Sequence, residues 1–165
     1  MATTAYSPQD WTELFVASAS ASAALTGLLF VAVSVNIERI LEFKGLPERA
    51  LQTLLLLLSV LFASVICLIP GQSTTALGIE LLVVGVGFGT PICRLLFVTV
   101  PGAREHERAF LHLWLVIPGT VPFLIGAVSL LARAGGGLYW IVAGILGAIL
   151  GASVNAWVLL VEILR

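Results

Sequence analysis

A chain of 165 residues that is 59% hydrophobic and 10% charged cannot cover a water-facing surface, because soluble domains carry roughly a quarter of their residues as charge. With a mean hydropathy of +1.11, lipid must be its solvent over most of its area. The net charge of −1 says nothing about a nucleic-acid partner, but a basic patch large enough for phosphate neutralisation is absent, so no such partner is expected.

Two cysteines, Cys67 and Cys93, are the whole thiol inventory, without a CxxC pair or a Cys/His metal spacing. The N-terminus lacks the basic segment of a cleavable signal peptide, so the first apolar stretch is expected to be a retained transmembrane helix.

Five helices follow in chain order, at about 11–43, 47–69, 76–100, 107–132 and 138–164. Pro8 and the Asp10-Trp11-Thr12-Glu13 run supply start signals for the first. It is longer than the ~20 residues a bilayer requires and carries a run of small residues from Ala17 to Gly27. Small residues let helix backbones approach closely, which makes this helix the expected packing hub, within the chain or between copies. Ser18, Ser22 and Thr26 share one face at i, i+4 and i+8; Glu13, Ala17, Ser20, Ala24 and Gly27 form a neighbouring stripe. The Ala/Gly stripe is the expected contact with another helix, and the hydroxyl stripe the candidate polar pathway.

Gly45 suits a left-handed helix end, and Pro47 opens the second helix, whose Leu54–Leu58 run reads as lipid-facing. Pro70-Gly71-Gln72-Ser73 is an uncharged turn. The third helix contains Val86-Gly87-Phe88-Gly89, which resembles four residues of a potassium-channel filter. No separate pore helix accompanies it, and Gly85 with Gly89 reads instead as a GxxxG packing pair. In the fourth helix, Pro118-Gly119-Thr120-Val121-Pro122 predicts a midplane kink that frees the carbonyls of Trp114 and Pro118. Gly135-Gly136-Gly137 is a turn, and the fifth helix places Gly144, Ala148, Gly151 and Asn155 on one stripe.

The fold class is therefore an all-α integral membrane protein, a five-transmembrane-helix bundle forming a single domain over 1–165. Arg39, Lys44, Arg49, Arg94, Arg104, Arg108 and Arg165 fall on one side and Arg133 alone on the other. That asymmetry predicts an external N-terminus and a cytoplasmic C-terminus, in a plasma or bacterial inner membrane.

Ionisable groups inside a span are pointers to function. Arg94 is expected to snorkel or to pair with Glu162 or Glu38. Glu80 is expected to pair with Arg133, or to line an outer vestibule with Glu13. His112 is a single titratable group near the inner end of its helix. No Ser-His-Asp set, HExxH, Walker loop or paired intramembrane carboxylate is present, so no enzyme, metal or cofactor is expected.

The leading functional expectation is an oligomeric channel or transporter for a small ion or solute. Its candidate pathway or ligand residues are Ser18, Ser22, Thr26, Glu80, Pro118, Thr120, Pro122 and Asn155. The alternative is a non-catalytic accessory or scaffold protein binding another membrane protein or lipid. The expected partners are the lipid bilayer, further copies of the chain and another membrane protein.

Overall fold

The architecture is taken from a computed structural model that describes residues 4–43, 45–98 and 106–163, and the side chains of 4–43, 45–95 and 116–161 among them. Two 3-10 turns, Thr4–Tyr6 and Pro8–Trp11, lead into α1 (Thr12–Val35), α2 (Ile37–Glu42), α3 (Leu46–Cys67), α4 (Thr74–Val98), α5 (His106–Ala132) and α6 (Leu138–Ile163). Every regular element among the described residues is helical. Hydrocarbon offers no water to satisfy backbone groups, so an apolar chain must bond its own amides within each segment. The spans Pro8–Val35, Leu46–Cys67, Thr74–Leu95 and Leu138–Val161 are each long and apolar enough to cross a membrane. Within α5 the described apolar stretch, Val116–Ala132, is shorter.

The first predicted helix is broken in two. At Asn36 the backbone leaves the helical region, with φ −109° and ψ 17°, and the Asn36 amide donates to Ala32 O at 2.9 Å. A short polar side chain that bonds its own backbone competes with helix continuation. Gly45 adopts φ 91° ahead of α3, and Pro47 lies in the first turn of α3, as the Gly-Leu-Pro run predicts. The Asp10–Glu13 run, close to a capping box in sequence, does not cap α1: Pro8–Trp11 is a 3-10 turn, and Trp11 stands before α1 without a side-chain cap.

The N-terminal turns are clamped onto the α5–α6 connection. Trp11 donates its indole N–H to Thr4 O at 2.9 Å and packs edge-on against Tyr139 at 4.9 Å. The Gly136 amide donates to the Tyr6 hydroxyl at 3.3 Å. We call this end of the bundle the N-terminal end and the opposite one the α2 end.

Within one chain α3, not α1, is the hub. It packs against α1, α4 and α6 and is the most deeply buried span, whereas α1 leans chiefly on α3 and is the least buried. Leu56 and Leu57 are buried in the core rather than lipid-facing. The difference has a simple cause: in lipid a leucine gains as much from tails as from protein, so an all-leucine run does not mark which side faces out. The second close-packed pair is α5 with α6, where glycines bring the backbones together. A Cβ on Gly119 would lie 2.8 Å from Ala148 Cα, and one on Gly144 would lie 3.1 Å from the Phe123 ring.

Candidate functional site

The hydroxyl stripe of α1 faces α3. Ser22 is fully buried and returns its hydroxyl to Ala19 O at 3.1 Å, while the half-buried Thr26 has a buried Oγ1 without a partner. Ser18 is half-buried on the same face. The Ala/Gly stripe makes no helix contact within the chain: Ala17, Ser20, Ala24 and Gly27 are exposed, and a Cβ on Gly27 would meet nothing within 4 Å. Small hydroxyl residues also let helices approach and can satisfy their hydroxyls on their own backbone, so the hydroxyl face can serve as the seam.

The Pro118–Pro122 segment sits in a contact. Gly147 of α6 lies directly against the Pro118 carbonyl, the carbonyl that Pro122 frees from the helix ladder. Pro118 and Pro122 are half-buried, and Thr120 donates to Val116 O at 3.0 Å. Glu80 accepts a hydrogen bond from the Gln72 side-chain amide across the α3–α4 turn, and Arg133 is exposed with φ 50°. Glu13 is exposed. Of the GxxxG pair in α4, Gly85 lies against Leu124 while Gly89 faces open space.

Arg94 and Cys93 are exposed, Cys67 is buried, and both thiols are free. The proposed partner Glu162, with His112, Trp114 and Arg108, has its side chain outside the described residues, and Lys44, Arg104 and Arg165 lie outside them entirely. Among the described residues no group of three His, Cys, Asp or Glu could hold a metal ion.

Two features were not legible as sites in the sequence. The first is a cleft of about 470 Å³ in the half of the bundle nearest α2, bounded by α1, α2, α3 and α6. Its volume falls within the ~300–1,000 Å³ of ligand pockets. α1 lines it with Leu25, Leu29 and Val33, α3 with Leu57, and α6 with Ala152 and Ala156. Its mouth holds Leu28, Trp157 and Leu160, three large apolar side chains that are exposed.

Three polar residues also line the cleft, and each has a donor engaged by its own helix. Asn36 donates to Ala32 O at 2.9 Å, Thr53 to Arg49 O at 2.7 Å and Ser153 to Ile149 O at 2.8 Å. The cleft is thus an apolar trough with few donors left for a polar guest.

The second feature is a set of buried polar side chains without partners on α3 and α6. Asn155 is buried with neither amide atom bonded, and the Gln52 Nε2 and Glu48 Oε2 atoms are likewise buried and unbonded. Asn155 was legible as one amide on an apolar stripe. Gln52 and Glu48 were not, because near a helix start they read as interfacial residues.

No family model, curated protein or solved structure matches the chain.

Proposed function

We propose that this is a non-catalytic, lipid-binding integral membrane protein whose working site is the cleft between α1, α2, α3 and α6. The occupant is one acyl chain of a phospholipid in the leaflet at the α2 end. The observation that carries this reading is the cleft's lining: apolar walls at membrane depth, with the Asn36, Thr53 and Ser153 donors already engaged by their own helices. Arg39 in α2 is exposed and can meet a headgroup phosphate; Glu38 and Glu42 beside it are exposed too, so the phosphate group rather than the net charge of the lipid is what this end recognises.

α5 is read as a fifth crossing. Its 27 residues rise about 40 Å at ~1.5 Å per residue, more than the ~30 Å hydrocarbon core. With the basic residues on the cytoplasmic side, the N-terminus is external and the cleft opens to the cytoplasmic leaflet of a cell membrane. The test is thermal: in detergent, added phospholipid raises the melting temperature of the protein. Equal shifts from lipid and from excess detergent would remove the proposal.

A second reading, a homo-oligomeric channel or transporter, is supported by the exposed small-residue face of α1, where Ala17, Ser20, Ala24 and Gly27 await a neighbour. It predicts an oligomer in mild detergent that Gly27→Trp dissociates. Mass photometry showing only monomer for the wild-type protein, or a stoichiometric second protein in its place, counts against it.

A further inference from the structure

α3, α5 and α6 meet at Gly119, where a Cβ would lie 3.0 Å from Leu56 Cδ2 and 2.8 Å from Ala148 Cα. From that junction each helix can be followed toward the α2 end. Gln52 stands one turn along α3, on the face of Leu56, and Asn155 two turns along α6, on the face of Ala148. At ~1.5 Å per residue, Gln52 is about 6 Å, Asn155 about 10 Å and Glu48 about 12 Å beyond the junction. Asn155 therefore comes level between Gln52 and Glu48 on the helix beside them.

These groups are shut inside one chain. Asn155 is 1% exposed and Gln52 3% exposed. Asn155 Nδ2 and Oδ1, Gln52 Nε2 and Glu48 Oε2 are buried without a hydrogen-bond partner in the protein. Of the buried hydroxyls, Thr53, Ser59 and Thr120 each bond a carbonyl of their own helix, at 2.7, 2.7 and 3.0 Å, while Ser64 Oγ of α3 and Thr26 Oγ1 of α1 are further buried atoms without a partner. An amide or carboxyl left unmet in such surroundings is costly, and buried polar groups in folded proteins find partners as a rule. A side chain from a second copy cannot reach Asn155 or Gln52, since both are covered within the subunit.

We propose that Gln52, Asn155 and Glu48 build a buried polar site inside the subunit that takes water, or a small neutral solute carrying both donors and acceptors. The guest donates to Asn155 Oδ1 and Glu48 Oε2 and accepts from Asn155 Nδ2 and Gln52 Nε2. Exchanging oxygen and nitrogen in Asn155 leaves that requirement unchanged, because both of its amide atoms are unmet. An ion of one sign satisfies only half of the four atoms, whereas a water with two to four polar neighbours is well held. Glu48 lies in the first turn of α3 and is half-buried, so the site connects to solution at the α2 end. It is separate from the lipid cleft, which uses the neighbouring faces of α3 and α6, at Thr53, Leu57, Ala152 and Ala156.

The test is thiol accessibility of the full chain in nanodiscs. Cys93, which is exposed, is replaced by Ser, and the parent with buried Cys67 sets the background. Asn155→Cys is expected to react with hydroxyethyl methanethiosulfonate at least tenfold faster than Ile145→Cys, a buried core position of the same helix. Equal rates in two folded variants overturn the proposal. Added urea or glycerol separates the two guests: a slowed reaction identifies a solute, an unchanged one identifies water, and both outcomes support the site.

The melting temperature supplies the second readout. Asn155→Leu and Gln52→Leu each lower it where a guest bridges the amides, and the double variant lowers it by less than the sum. A rise for either single variant means that the amide stands unmet, and overturns the proposal.

Discussion

Gly119→Val is expected to destabilise the bundle by about 3 kcal/mol or more, the upper end of what overpacking costs. A Cβ at this position meets Ala148 Cα at 2.8 Å and Ala148 N at 3.1 Å, and Leu56 Cδ2 at 3.0 Å on the other side. Leu56 can turn aside, but the α6 backbone can yield only by moving the whole helix. Gly147→Val should act alike, because the Pro118 carbonyl faces it. Burial of apolar surface does not drive helices together inside lipid, so association depends on close backbone approach, and these glycines supply it. The matched control is Gly87→Ala, where no atom lies within 4 Å. There the helix gains the ~1 kcal/mol by which Ala exceeds Gly. Reversible unfolding in mixed micelles measures all three. A neutral Gly119→Val with a damaging Gly87→Ala would mean that the α5–α6 contact is misplaced.

Ala32→Trp and Ala156→Trp are expected to abolish the stabilisation of the protein by phospholipid. Both alanines line the cleft, and an indole from either takes up space that an acyl chain needs. A ligand that binds only the folded state stabilises it by RT ln(1 + [L]/Kd), about 2.7 kcal/mol at a hundredfold excess over Kd. That increment should vanish in both variants, while their stability without lipid stays within about 1 kcal/mol of wild type, since each replaces an alanine beside an open trough. Val83→Trp, on the exposed face of α4, leaves the lipid response intact. A melting curve with and without lipid separates the cases, and an undiminished shift in both filled variants would mean that lipid acts elsewhere.

How much was legible in the sequence differs by level. Helix positions were: hydrophobic runs, Gly45, Pro47, Gly71 and the Gly135–Gly137 turn mark nearly every boundary, because lipid leaves a backbone few alternatives to helix. Asn36 was missed as a break, since a single polar residue near a membrane edge carries no strong stop signal. Sidedness was harder. Leu56 and Leu57 were assigned to lipid and are core; Ala24 and Gly27 were assigned to a contact, within the chain or between copies, and are open within the chain. A soluble helix declares its inner face by polarity, but here core and solvent are both apolar, so only neighbours decide.

The candidate site shows the same limit. Asn155 stood out because an amide on an apolar stripe is rare in a span. The cleft depends on how α1 leans over α3 and α6, a tertiary fact that no single segment encodes.

The most direct measurement of the central claim is where a lipid chain touches the protein. A phospholipid bearing a diazirine along one acyl chain is incorporated in nanodiscs, irradiated, and its adducts are mapped by peptide mass spectrometry. The account predicts adducts concentrated at Leu25–Val33 of α1, Thr53–Leu57 of α3 and Ala152–Leu160 of α6, and their loss in Ala156→Trp. Adducts spread evenly over the exposed faces, with Val83 and Val86 of α4 labelled as strongly as Leu29 and Leu57, would contradict it.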